Sequence, residues 1–465
     1  MREFFNFITR GNIIRRMSRT PDLLHGSIWK NLVLLSTPIV ISRIFQTLYN
    51  VTDAFWLGKL GKEALAAPTI THNIVWLTVA VASGLGVGGS TLVAQYKGAD
   101  NEENMRKSAG STLLIVIILG IAIGIIGFIT TPLILRLLQT PGPAFAFTEN
   151  YMRIMFTGLP FVFVYFLYQG LLRGYGNTIS PMKLIFFTVG LNIILDPFLI
   201  FGLWIFPKLG VTGAAIATVF SQGLSSIVAI FILFAGTQGI KIDMRSIKPD
   251  IDIWAKIMKI GLPMSFGQMG TSLGFTLMMG LVNTFGTAVV GAFGVAHRII
   301  SMLVMPAIGL SQGSATFVAQ NMGARQVKRA EKSVWTAAGI NASVVFIFTT
   351  LLFFFGEYVV QFFINDPEVI AIGGDMFRIT SYSVLFFSVM MVFTGAFKGS
   401  GHTLPVLIMQ IFRLWGVRIP FAYLFAKHWQ WGPNGIFWAM FLSNIVITII
   451  AFIWFRRGSW KKGII

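Results

Sequence analysis

Apolar stretches long enough to cross about 30 Å of hydrocarbon recur twelve times along this chain. They lie near 32–58, 64–96, 108–130, 145–172, 182–205, 212–236, 252–282, 288–320, 333–355, 369–397, 402–426 and 434–455. Runs of this length predict helices, because barrel strands are shorter and alternate strictly in two-residue steps. Lipid must solvate most of such a chain. Apolar residues make up 55% of its 465 positions and charged residues only 11%, with a mean hydropathy of +0.75. A soluble domain carries about 25% charged residues. Composition therefore excludes a string of soluble domains, a disordered chain and a coiled coil. What remains is an all-α integral membrane protein.

Charge sets the expected orientation. The formal net charge is +19, but the basic residues are spread thinly between apolar runs. No segment interleaves dense Lys and Arg with aromatics, so nucleic acid is not an expected partner. Of the 36 Lys and Arg residues, 25 fall in the N-terminus and in every second loop. The opposite face has six, Lys59, Lys62, Arg136, Arg153, Lys208 and Lys427, and five lie within spans. That bias puts both termini in the cytoplasm. The chain has no cysteine, which rules out disulfides, Cys-based metal sites and thiol nucleophiles. Its first 30 residues hold no apolar run of signal-peptide length.

The two halves are copies. Shifted by 225 residues, Gly84–Ala99 lies over Gly309–Ala324 with nine of 16 positions identical, where unrelated apolar segments share about one or two. The same shift carries Gly170, Gly174, Gly176 and Thr178 onto Gly395, Gly399, Gly401 and Thr403, and Pro38 onto Pro263. An even number of spans per copy keeps the halves parallel, related by an axis along the membrane normal. The expected organisation is a basic N-terminal extension (1–26), a six-helix lobe (27–240), a linker (241–251), a second lobe (252–455) and a basic tail (456–465). Two such bundles facing one another suit alternating access to a central cleft.

An ionised carboxylate within hydrocarbon is costly, so acids inside spans need a reason. Fifteen of the seventeen lie in tails, loops or span ends; Asp53 in span one and Asp196 in span five do not. Both spans run outward. Asp53 is five residues before Gly58 and Asp196 eleven before Pro207, so both sit in the outer half of the membrane, within about 10 Å in depth. Gln46, Tyr49, Asn50 and Asp53 fall at i, i+3, i+4 and i+7, on one helix face. Asn192 and Asp196 stand at i and i+4, and Pro197 follows the acid. A proline there removes one backbone bond and frees carbonyls to face a cation or water. The alternative is a pair of structural acids satisfied by Asn, Tyr or backbone donors. Against it, Met278 replaces Asp53 in the second copy and Ile419 roughly replaces Asp196. Symmetric packing would not need acids in one half only.

Other intramembrane polar groups carry weaker signals. Arg43 lies ten residues before Asp53, about 15 Å along the helix, and is a poor partner. Arg413 and Arg418 in span eleven either line the second half of the cleft or snorkel and pair within the bundle. His297 has no carboxylate or second His at i+4, so a transition-metal site is not expected. The Gly84–Gly89 run lacks the Gly-Lys-Ser/Thr of a phosphate loop and lies inside a span, where small residues serve close helix packing. No ATPase, hydrolase, HExxH or kinase motif is present, so energised transport has to draw on an ion gradient. Abundant Met and Phe in spans seven to ten are ordinary core residues that would also suit a promiscuous apolar pocket.

Taken together, these pieces resemble the multidrug and toxic compound extrusion (MATE) family over residues 27–455. The resemblance rests on Thr37-Pro38, on Gln46-Thr47-Leu48-Tyr49-Asn50 with Asp53, and on Gly61 with Glu63-Ala64-Leu65-Ala66-Ala67. It continues in the glycine-rich run ending Val93-Ala94-Gln95, in Gly170 to Gly176, in Asn192 with Asp196-Pro197, and in Gly213-Ala214-Ala215 with Ala217-Thr218. The Asp53 and Asp196 pattern is similar to the branch with its ion-linked acids in the first lobe.

The resemblance implies twelve helices in two pseudo-symmetric six-helix bundles around a V-shaped cleft. It implies antiport of organic cations or other amphiphiles against Na+ or H+, with no cofactor beyond the coupling ion. By motif, Asp53, Asn192, Asp196 and Thr218 would form the cation site, and Na+ would be held by Asp53, Asn192 and Asp196. Gln46, Tyr49, Asn50 and Gln169 would line the substrate cleft, Gln169 by its position beside the Gly170 motif alone. The partners implied are a small amphiphilic organic substrate and membrane lipid, for a monomer in the plasma membrane of a prokaryote. Two other functions stay open. A lipid-linked oligosaccharide flippase would share the two-lobe plan but would want many cleft cations for pyrophosphate. An integral membrane enzyme would need a His/Asp pair or metal cluster at the membrane surface, which none of the five His provides.

Overall fold

The structure, a computed structural model, describes residues 21–465, with the backbone alone for residues 62–66. Most of the expected N-terminal extension, and Glu63–Ala66 of the motif that runs from Gly61 to Ala67, therefore lie outside the described side chains. The chain forms α1 (Ile28–Gly58), α2 (Lys62–Gly98), α3 (Glu102–Leu137), α4 (Gly142–Thr157), α5 (Leu159–Tyr175), α6 (Ile179–Phe201) and α7 (Val211–Ala235). There follow α8 (Ile251–Asn283), α9 (Thr287–Gly323), α10 (Val327–Phe363), α11 (Pro367–Ser400), α12 (Leu404–His428) and α13 (Pro433–Arg457). No strand occurs among the described residues. That is what hydrocarbon demands, since a helix satisfies its backbone groups within its own segment.

Two of the twelve expected spans need refinement. The fourth is a bent pair, α4 and α5, meeting at 51° around Gly158. Pro160 opens α5 and has no N–H to offer the Phe156 carbonyl, so the helix cannot run straight through. The seventh, α8, is long enough to span, but its Gly, Ser, Thr and Gln residues dilute its hydropathy. Among the described residues ten helices are apolar and long enough alone, eleven spans with the bent pair counted as one, and α8 completes twelve rods.

The helices gather into two compact units. Unit 1 holds Ile41–Ser265, and unit 2 holds Leu23–Val40 with Phe266–Ile465. These differ from contiguous lobes of 27–240 and 252–455 by an exchange: residues 28–40 of α1 pack in unit 2, and residues 251–265 of α8 pack in unit 1. Glycine permits it. In unit 1 a Cβ on Gly88 would stand 2.6 Å from the Ile257 carbonyl oxygen, and one on Gly84 2.6 Å from that of Gly261. In unit 2 a Cβ on Gly309 would stand 2.5 Å from Val40 Cγ2 and 3.1 Å from the Ser36 carbonyl oxygen. Ser36 and Val40 are Gly261 and Ser265 less 225, so both exchanges use one register.

The same register governs packing inside each unit. Gly170 and Gly174 of α5 lie against the backbone of Gly86 and Ser90 in α2. Gly395 and Gly399 of α11 lie against Ser311 and Ala315 in α9, again 225 residues on. Helices in lipid associate through such close contacts, because lipid tails are as apolar as Leu. Gly176 (φ 102°) and Gly401 (φ 83°) then end α5 and α11 in the left-handed conformation that side chains resist. Unit 2 buries an apolar cluster built on Met278, Phe293, Phe377, Phe425 and Phe437.

Candidate cation site in unit 1

The site assembles on α1 and on the consecutive helices α6 and α7, more than 100 residues further along the chain. On α1, the stripe Gln46, Tyr49, Asn50 and Asp53 faces a cavity of about 120 Å³ enclosed by α1, α2, α4, α5 and α7. Thr218 of α7 also lines it, and the Tyr49 hydroxyl donates to Thr218 Oγ1 at 2.9 Å. That bond anchors α1 to α7 beside Asp53. The wall is completed by residues with no prior claim: Thr71, His72 and Trp76 of α2, Tyr151 of α4 and Gln222 of α7. Of these, only Gln222 had a local signal, four residues after Thr218 on the same helix face.

Asn192 and Asp196 lie on α6 and are fully buried, outside the lining of that cavity. The i, i+4 spacing brings them into contact, with Asn192 Nδ2 donating to Asp196 Oδ1 at 3.1 Å. Pro197 sits inside α6, which continues to Phe201. The missing amide at Pro197 leaves the Ile193 carbonyl without its helical donor. Asp196 lies within electrostatic reach of Asp53, and Tyr49 and Tyr151 lie within reach of both. Gln169, on α5, is not among the lining residues, and its Nε2 is buried without an acceptor.

The region leaves several buried polar atoms unpaired, Thr71 Oγ1 on the cavity wall among them. Asp53 Oδ1, Asp196 Oδ2, Asn192 Oδ1 and Gln222 Oε1 are all buried with no donor. Buried polar atoms are nearly always paired, and an unpaired carboxylate oxygen is among the costliest to leave so. Among the described residues neither Asp53 nor Asp196 forms an ion pair with Arg43 or another cation. Such a set fits a proton or a hard cation, which oxygen ligands favour. Among the described residues no group of three or more His, Cys, Asp or Glu is placed to hold a metal.

The model of one protein family, MatE, matches residues 38–198 and again residues 263–424, well over half of the chain. The chain belongs to the MatE family. The second match begins 225 residues after the first, the offset of the internal copies. This MatE protein is 29% identical over 440 residues to the probable multidrug resistance protein YoeA of Bacillus subtilis, covering 94% of this chain and 95% of that one. It is 30% identical over 444 residues to YpnP of the same organism, also a probable multidrug resistance protein, at 95% and 97% coverage. Its fold matches a solved outward-facing multidrug resistance MATE transporter of the MOP superfamily with a TM-score of 0.88 and 28% identity, covering 96% of this chain and all of that one. As a MatE protein the chain is a multi-pass membrane transporter and not an enzyme.

Proposed function

We propose that the chain exports small amphiphilic organic compounds, chiefly cations, by antiport against a proton bound at Asp53 and Asp196. The four orphaned oxygens carry this reading. Two neighbouring carboxylates in a low-dielectric site cannot both stay charged cheaply, and a cation that offsets one charge supplies what they lack. Thr218 Oγ1 already accepts from Tyr49, and four orphaned oxygens fall short of the roughly six or more that hard cations usually take. Hard cations want a fuller oxygen shell, so the site favours H+ over Na+. The names of the Bacillus relatives support drugs and similar xenobiotics as substrates.

In this reading the lobes 27–240 and 252–455 alternate in access, joined by the linker 241–251. A monomer spans the plasma membrane of a prokaryote with both termini in the cytoplasm, as the Lys and Arg bias supports. Loading the ion changes the local charge by one and alters α1 around Asp53 and the Tyr49–Thr218 bond. Reciprocity then requires ion and substrate to weaken each other's binding. The test is the affinity of the purified protein for a cationic dye across pH 5.5–8.5, with and without Na+. Affinity should fall as pH falls in the wild type and stay flat in Asp196→Asn. A wild-type affinity independent of both pH and Na+ removes the coupling role.

A further inference from the structure

Unit 2 buries two arginines within a span and gives them no carboxylate. Arg413 and Arg418 of α12 are 8% and 9% exposed. The acids of unit 2 are spent elsewhere: Glu331 on Lys461, Glu357 and Asp375 on Arg378, Asp366 on the first turn of α11, and Glu368 at the exposed start of that helix. Isolated guanidinium charge inside a membrane protein is costly and gathers on ligand pathways.

The local backbone makes these residues a pair. At 3.6 residues per turn, side chains five apart point about 140° away from one another. Residues Phe412–Arg418, however, form a π-helical segment, in which a turn closes between residues five apart. Arg413 and Arg418 therefore stand on the same side, each within reach of the other's charge. Such turns are rare and concentrate at functional sites.

The two guanidiniums are held differently. Arg418 is fixed by neutral acceptors: its Nε donates to Ser443 Oγ at 2.9 Å and an Nη to Asn444 Oδ1 at 2.7 Å. Asn444 in turn donates to Ser383 Oγ at 3.1 Å. Arg413 makes no hydrogen bond or ion pair among the described residues. Its guanidinium lies 4.5 Å from the centre of the Phe387 ring, and its buried Nε has no acceptor. One fork is pre-positioned and the other is unfilled.

We propose that Arg413 and Arg418 bind an oxyanion, the carboxylate of a transported amphiphile, with a lipid phosphate as the other source of the same chemistry. A planar fork accepts two oxygens of such a group in parallel, which a point charge does not reproduce. The site would recognise the acid group of such a solute, and it rests on the export reading only for the step of transport.

The test is direct binding to the full-length protein in phosphatidylcholine nanodiscs, read by fluorescence anisotropy. Two dyes that differ in one group serve as probes: rhodamine 19, with a free carboxylate, and rhodamine 6G, its ethyl ester. The wild type should bind the acid about tenfold more tightly than the ester, the scale of one charge-assisted hydrogen bond. Arg413→Gln should bind both alike with ester affinity unchanged, and Arg413→Lys should recover part of the preference. Arg413 is the residue to change because no hydrogen bond is lost with it, and the melting temperature confirms the fold. Repeating the titration with phosphatidylglycerol in the disc separates the sources. Competition seen in the wild type but not in Arg413→Gln assigns the site to lipid phosphate, and its absence assigns it to the solute carboxylate. Asp53→Asn should keep the preference for the acid even where efflux is lost, so failure of ion coupling would not count against the site. Equal wild-type affinity for acid and ester, unchanged by Arg413→Gln, overturns it.

Discussion

Helices α6 and α12 hold equivalent places in the two halves, the fifth span and the eleventh, yet they bury charges of opposite sign. In α6 a regular helix carries Asn192 and Asp196, with oxygens that lack donors. In α12 a π-helical segment carries Arg413 and Arg418, with guanidinium nitrogen that lacks an acceptor. Around them the glycine contacts repeat at one register, Gly174 on Ser90 and Gly399 on Ala315. Duplication has kept what packing cannot give up and released what it can. A helix crossing with no room for a Cβ tolerates no change, whereas a polar position inside a bundle is free to take new chemistry.

The largest expected effect lies with the acids. Asp53→Asn and Asp196→Asn should each cut dye efflux by at least about tenfold per folded molecule, while the melting temperature holds or rises because a buried charge is removed. Lost expression with normal specific transport would instead mark the pair as structural. The converse substitution, Met278→Asp, places an acid at the matching position of unit 2, where Met278 is 2% exposed within an apolar cluster. No orphan donor set awaits it, so it should destabilise the protein by about 2–4 kcal/mol. A variant that melts like the wild type would erase the contrast between the halves.

Gly174→Val and Gly399→Val probe what the halves share. Each adds bulk against a carbonyl oxygen, of Ser90 or of Ala315, and each should cost about 1–3 kcal/mol by overpacking. Similar shifts in thermal melting are expected, and a shift in one alone would show that the repeat packs unequally. The smallest effect belongs to Tyr49→Phe, which removes the 2.9 Å bond to Thr218. With about 1 kcal/mol at stake, efflux should drop by a factor of about five. A drop as deep as that of Asp53→Asn would make Tyr49 part of the ion site itself.

Much of this was legible before any fold was seen. The stripe from Gln46 to Asp53 and the Asn192–Asp196 pair follow from 3.6-residue periodicity, and the structure places the stripe on a cavity and the pair in contact. His72, Trp76 and Tyr151 were not legible, because their place beside Asp53 depends on helices that meet only in space. The break at Gly158 and Pro160 had a signal that a long apolar run concealed. The Gly84 and Gly309 runs promised close packing without naming a partner, so the exchange of residues 28–40 and 251–265 came only with the fold.

The sequence by itself determined the helices, their duplication and the charges they carry into the membrane. Hydrocarbon makes each backbone segment satisfy itself, so local pattern is enough. Which oxygens of Asp53, Asn192 and Asp196 go without a donor was decided by the tertiary structure alone, since that depends on what distant helices bring near. So was the facing of Arg413 and Arg418, because a π turn changes the direction of side chains without changing their spacing in sequence.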